Sequence, residues 1–98
     1  QRLKVSAKML HDIMLLNEFG LKLPDTYFHR IWESKEKLWE LRTGFAKYQE
    51  RTFFFMVLQD KFLLTNCFSK ATKKVPKSEI EKAERVLYDF HKEENLHD

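Results

Sequence analysis

Apolar residues near the start of the chain recur at helical intervals. Leu3, Ala7, Leu10 and Met14 stand four, three and four positions apart, which puts them on one face of a helix spanning Arg2–Phe19. Ile13 widens that stripe, and Met9 and Leu16 carry it further round on the same side. Gly20 follows, and a glycine there ends a helix by adopting the left-handed backbone conformation. No strong capping residue precedes the helix, so the element is expected to begin upstream of Gln1.

Residues 21–36 lose the period and read as irregular, with a turn signal at Pro24-Asp25-Thr26 and a polar stretch at Ser34-Lys35-Glu36-Lys37. From there the period changes to two. Leu38-Trp39-Glu40-Leu41-Arg42 alternates, with Trp39 and Leu41 on one face and Glu40 and Arg42 on the other. Residues 44–49 read as a connection. Residues 51–58 are apolar on both faces, the pattern of a central strand. Gln59-Asp60-Lys61 reads as a hairpin turn and 62–68 as the returning strand, which completes a three-stranded antiparallel meander. A second helix starts with a capping box formed by Ser78 and Glu81, just after Pro76, and places Ile80, Ala83, Leu87 and Phe90 on one face. Glu79, Glu81 and Glu84 stand where the helix dipole favours negative charge. The order helix, meander, helix predicts one α+β domain over residues 1–98, with one layer of helices on a small twisted antiparallel sheet.

Composition narrows the function classes. At 98 residues, 43% apolar and with nine Phe, the chain can bury a single core, and two Gly and two Pro argue against a turn-rich sandwich. The lone Cys67 excludes a disulfide framework and a multi-cysteine zinc site, and fits a reducing cytoplasm. No apolar run approaches the roughly 20 residues of a membrane span, so no membrane partner is expected. Charge is unevenly distributed. Residues 1–41 carry a net +1, residues 42–77 a net +6 and residues 78–98 a net −4. A basic middle of that kind attracts phosphate backbones, although the lysines from Lys70 to Lys77 taken alone read as a solvated loop.

Most catalytic chemistries find no support. His11, His29, His91 and His97 are scattered without metal-ligand spacing, and Gly20 and Gly44 are too isolated to make a phosphate loop. Cys67 has no histidine near it in sequence and reads as a small core residue of its strand. What remains is cationic. Arg42 points away from Trp39 and Leu41, Arg51 opens the next strand, and a hairpin through 43–50 brings the two near one another, with Lys70 after the last strand. Metal-free cleavage of RNA needs a base for the 2′-hydroxyl, positive charge for the phosphorane and an acid for the leaving oxygen, and Arg and Lys can supply the charge. The alternative is that Arg42 and Arg51 simply pair with Glu40 and Glu50 on a sheet surface.

Lys37-Leu38-Trp39-Glu40-Leu41-Arg42 resembles the "LWELR" strand of the RelE/ParE toxin superfamily, in its HigB-like, phage-derived branch. In the same order, Arg51-Thr52-Phe53-Phe54-Phe55 is similar to that family's "YRIFYF" strand, residues 68–76 to its "FxKKTxKTP" segment, and residues 78–83 to its "xEIExA" helix start. The resemblance implies the toxin of a type II toxin–antitoxin system: a ribosome-dependent messenger RNA endonuclease of the cytoplasm that needs no metal or cofactor. Its partners would be a HigA-like helix-turn-helix antitoxin, the ribosome and mRNA, with operator DNA reached only through the antitoxin. It also implies a strand upstream of Gln1 in the same sheet. Carried over by position, Arg51 would stabilise the phosphate and Arg42 would share that task or anchor the backbone. Lys70, which matches the lysine after the last strand, would belong to the catalytic set and bind RNA backbone, and Lys47 would serve in proton transfer. Lys73, Lys74 and Lys77 would bind RNA, as would Asn66, which stands in Asn66-Cys67 where family members often carry His-Gly. The general acid and base are thus left open. Tyr27, Phe28, Ile31 and Trp32 are candidates for an apolar antitoxin contact, or else they cover one end of the sheet. The alternatives are a ParE-like gyrase poison without nuclease chemistry and a toxin reduced to antitoxin binding.

Overall fold

The computed structural model describes residues 2–58, 61–70 and 74–97. Helix α1 (Arg2–Phe19) leads through a single 3-10 turn (Gly20–Lys22) to strands β1 (Phe28–Ile31), β2 (Leu38–Phe45), β3 (Tyr48–Leu58) and β4 (Lys61–Ser69), and helix α2 (Lys77–His97) closes the chain. The strands form one antiparallel sheet in the order β1-β2-β3-β4. The α+β architecture and the meander are therefore as the pattern predicts, with a fourth strand added. The expected turn residues Gln59 and Asp60 lie outside the described residues.

The expected single layer of helices is corrected. Leu38, Phe53 and Phe55 pack with Ile80, Ala83 and Leu87 of α2, whereas Leu41 and Phe54 pack with Leu16 of α1. Phe53 and Phe54 are consecutive and point to opposite faces, so the helices cover opposite sides of the sheet. That explains why β3 is apolar on both faces from Phe53 onward. Phe53 and Phe54 are both fully buried, each by a different helix.

Helix α1 presents a different face to the sheet from the one its apolar spacing favours. Val5, Asp12 and Leu16 are buried, while Leu3, Leu10 and Met14 are 86%, 59% and 61% exposed. Val5, Met9, Asp12 and Leu16 also stand four, three and four apart, so pattern alone cannot choose between the two stripes. Thr43 decides it. Its hydroxyl donates to Asp12 Oδ2 at 2.8 Å, with Lys8 Nζ 3.4 Å from the same oxygen, so the buried carboxylate is satisfied.

Three local features depart from expectation. Strand β1 lies in the stretch read as irregular; four residues are too few to display a period, and pairing with β2 supplies what propensity does not. The β2–β3 ladder runs on to Phe45↔Tyr48, leaving Ala46 and Lys47 as the turn, with Ala46 at φ 54° in place of the usual Asn or Gly. Helix α2 begins at Lys77, ahead of the expected Ser78 cap, because the Pro76 carbonyl accepts from Glu79 N–H at 3.1 Å and Ile80 N–H at 3.3 Å. The apolar face of α2 matches the prediction, with Ile80, Ala83 and Leu87 buried and Phe90 half-buried.

Gly20 ends α1 as expected, at φ +61°. An added Cβ would meet Phe62 Cζ at 3.7 Å, an ordinary contact, so the cost of a side chain there is conformational. Gly20→Ala is expected to destabilise the fold by about 1–2 kcal/mol, read as a lowered urea midpoint at unchanged slope.

Candidate nucleic-acid interface

Strand alternation and register assemble the cationic groups on the sheet face that α2 partly covers. Arg42 on β2 lies directly opposite Arg51 on β3, and Arg51 opposite Phe68 on β4. Two like charges facing each other across strands repel. The charge between them is supplied by Glu40, two residues before Arg42 on the same face and fully buried. Arg42 Nε donates to Glu40 Oε1 at 2.8 Å, and Arg51 Nε stands 3.6 Å from the same oxygen. Arg51 Nη1 also donates to the Glu50 carbonyl oxygen at 3.1 Å. The Glu50 carboxylate turns to the α1 side and accepts from the Ser69 hydroxyl at 2.8 Å. Pairing with Glu40 is therefore realised, and pairing with the Glu50 carboxylate is not.

The two arginines differ in access. The Arg51 side chain is 9% exposed and that of Arg42 is 37% exposed. Burial lowers the Arg51 pKa from its ordinary value; Glu40 and Glu50 oppose that effect and Arg42 adds to it. Arginine keeps its proton through such a shift at neutral pH, so the row carries two positive charges against one negative. Arg42 is bound along one edge of its guanidinium, and its remaining N–H donors are available for bidentate contact with a phosphate. Glu40 Oε2 and Arg51 Nε, both buried, find no hydrogen-bond partner among the described residues.

Lys70 extends the ladder past β4, its N–H donating to the Gln49 carbonyl at 2.8 Å. With Gly44 opposite Gln49, alternation places Gly44, Gln49 and Lys70 in the next row of the arginine face. The other predicted positions are more dispersed. Lys47 sits at the tip of the β2–β3 hairpin, its ammonium 5.8 Å from the centre of the Tyr48 ring and away from the arginine row. Asn66 lies on the arginine face, but its amide is engaged by α2, donating to the Glu79 carboxylate at 2.9 Å and carbonyl at 3.2 Å. Lys74 is exposed in the segment before α2. Lys77, at the helix start, borders a groove of about 410 Å³ together with Glu33, Lys35, Val75, Ile80, Glu81 and Glu84. Lys73 lies outside the described residues.

Cys67 departs from expectation, and three of the four residues weighed for partner contact follow the other alternative, covering the sheet. Cys67 is exposed instead of belonging to the core, and its sulfur lies 3.5 Å from the Thr52 hydroxyl. Of the four aromatic and aliphatic residues weighed for partner contact, Ile31 is buried in the α2-side core, Tyr27 and Phe28 pack on the α1-side core, and only Trp32 is widely exposed, at 78%. Arg30 stacks on Trp32, its guanidinium carbon 4.7 Å from the ring centre. The larger exposed apolar stripe is Leu3, Leu10 and Met14 on the outer side of α1.

Sequence reasoning missed one residue of this face and the burial of another. Glu40 was legible as an alternating strand position and as a partner of the arginines, but its complete burial was not. His29 lies directly opposite Glu40 in the β1–β2 register, and only recognising β1 as a strand would have found it. Among the described residues, no group of three or more His, Cys, Asp and Glu side chains is arranged to hold a metal ion, and no helix is long and apolar enough to cross a membrane.

Residues 2–88 match the family model described as Phage derived protein Gp49-like (DUF891). No curated protein and no solved structure matches the chain. The family match covers both helices and all four strands, most of α2 included, and on that ground the chain belongs to the Gp49-like phage-derived family, a family of RelE/ParE-like toxins.

Proposed function

We propose that this chain is the toxin of a type II toxin–antitoxin pair and acts, in the manner of HigB-like members, as a ribosome-dependent messenger RNA endonuclease in the cytoplasm. The observation that carries this reading is the arginine row: an accessible Arg42 guanidinium directly opposite Arg51, with Lys70 in the adjoining row of the same face. Membership of a toxin-like family adds independent support.

Such a face can hold an RNA phosphate without a base-specific pocket, because guanidinium and ammonium groups recognise the backbone and leave sequence to the ribosome-bound codon. When the ribose 2′-oxygen attacks phosphorus, the phosphorane gains negative charge, and the accessible Arg42 guanidinium, with the buried Arg51 charge behind it, stands ready to stabilise it. An antitoxin of helix-turn-helix type is the proposed partner, with any operator contact belonging to the antitoxin.

The test is induction of the chain in a bacterial host, alone and with its neighbouring gene product, followed by mapping of mRNA 5′ ends and assay of DNA breaks. Growth arrest with codon-linked mRNA cuts, relieved by the neighbour, is the expected result. Arrest with DNA breaks and intact mRNA would replace this reading with gyrase poisoning. No arrest would leave a chain that only binds an antitoxin.

A further inference from the structure

Across the arginine face, β1 contributes the side chain of His29. His29 pairs with Glu40 in the ladder, and directly paired residues of an antiparallel sheet project from the same face with Cβ atoms about 5 Å apart. Ile31, two residues on, faces the α2-side core together with its own partner Leu38, which confirms the alternation. His29 is half-buried. Glu40 is fully buried; Oε1 is occupied by Arg42 and Arg51, while Oε2 has no hydrogen-bond partner among the described residues. A buried carboxylate oxygen without a partner is costly, and the ladder neighbour able to donate to it from β1 is the His29 imidazole.

We propose that His29 is the proton-transfer group of the RNA cleavage reaction, oriented by Glu40. This rests on the nuclease reading above. The two side chains are ladder neighbours without a hydrogen bond between them; once the imidazole turns onto Oε2, the carboxylate fixes it through one ring nitrogen and leaves the other free to act on substrate. His29 lies one row to one side of Arg42 and Arg51 and Lys70 one row to the other, at diagonally opposite corners of the face, so that a ribonucleotide chain laid across the arginines runs from the imidazole toward the ammonium. In the step itself, the O2′–P bond forms as the P–O5′ bond breaks. The 2′-hydroxyl proton passes to the imidazole, and the departing 5′ oxygen takes a proton from the Lys70 ammonium. The products are a 2′,3′-cyclic phosphate and a 5′-hydroxyl, and exchange with water returns both side chains to their starting states.

The test compares wild type, His29→Ala and His29→Gln on mRNA-programmed ribosomes, measuring cleavage rate, ribosome binding and thermal unfolding, with and without added imidazole. Both variants are expected to cleave at least about a hundredfold more slowly while binding normally, the usual size of a lost proton-transfer group. Added imidazole should restore a measurable part of the rate to His29→Ala and none to His29→Gln, whose side chain fills the space. A structural role would not produce that rescue. Cleavage by His29→Ala within threefold of wild type, or a loss that imidazole leaves unchanged, overturns the proposal while the nuclease reading stands. Failure of the wild-type chain itself to cut mRNA overturns the nuclease reading and this proposal with it.

Discussion

Glu40→Ala is expected to lower the free energy of unfolding by about 3–5 kcal/mol, the cost of leaving buried charge without its partner. The carboxylate is fully buried and lies against both guanidiniums, at 2.8 Å from Arg42 Nε and 3.6 Å from Arg51 Nε. Removing it leaves two like charges directly opposite each other, one of them in a side chain only 9% exposed. In a chain of this size each kcal/mol moves the melting temperature by roughly 4–8 °C, so the transition should fall by at least about 12 °C. Glu40→Gln should fall in between, since an amide oxygen keeps one hydrogen bond and loses the charge. Circular dichroism melts of the three proteins decide the matter. An alanine variant that melts within about 4 °C of wild type, an effect the size of an exposed pair's contribution, would mean that Glu40 does not hold the arginines together.

Arg42→Ala should have its largest effect on activity. Loss of one donor aimed at developing oxyanion charge slows an enzyme by about 10²–10³-fold, and Arg42 is the guanidinium of the row that solvent and substrate can reach. Its removal takes a hydrogen bond from Glu40 but leaves the Arg51 guanidinium 3.6 Å from the same oxygen, so the fold should survive at a cost of about 2–3 kcal/mol. Cleavage of mRNA on programmed ribosomes by wild type and variant, with melting curves alongside, is the relevant measurement. A variant that folds and cuts at the wild-type rate would remove Arg42 from the reaction. Arg51→Ala, the choice that the family positions recommend, is a less discriminating experiment. Arg51 is buried and is held by Glu40 and by the Glu50 carbonyl, so fold and activity would fall together.

Alternation carried much of the site. Trp39 to Arg42 has a two-residue period, and from it follow the common face of Glu40 and Arg42 and, once the hairpin is closed, the apposition of Arg42 and Arg51. The all-apolar run of β3 marked a central strand because both of its faces are in fact covered. What escaped the pattern was set by tertiary context. Two stripes of equal spacing compete on α1, and the choice falls to a buried hydrogen bond between Thr43 and Asp12, residues 31 positions apart. The β2–β3 turn carries Ala46 where a left-handed residue is needed, so the usual Asn-Gly signal is missing. Strand β1 shows no apolar alternation. Phe28 and Arg30 face Trp39 and its surroundings while His29 and Ile31 face the other side, so each face receives one polar and one apolar residue. The same short strand hid His29, which becomes a neighbour of the arginines only through its register with β2.

RNA cleavage by this chain requires that RNA be gripped at one end of one sheet face. Backbone amide chemical-shift mapping, with a short single-stranded RNA made uncleavable by 2′-O-methylation, tests that placement directly. The largest shifts should fall on His29, Arg42, Gly44, Gln49, Arg51 and Lys70, and should weaken steeply as salt is raised. Shifts concentrated on the outer side of α1 around Leu3, Leu10 and Met14, or a spectrum unmoved by RNA at low salt, would contradict it.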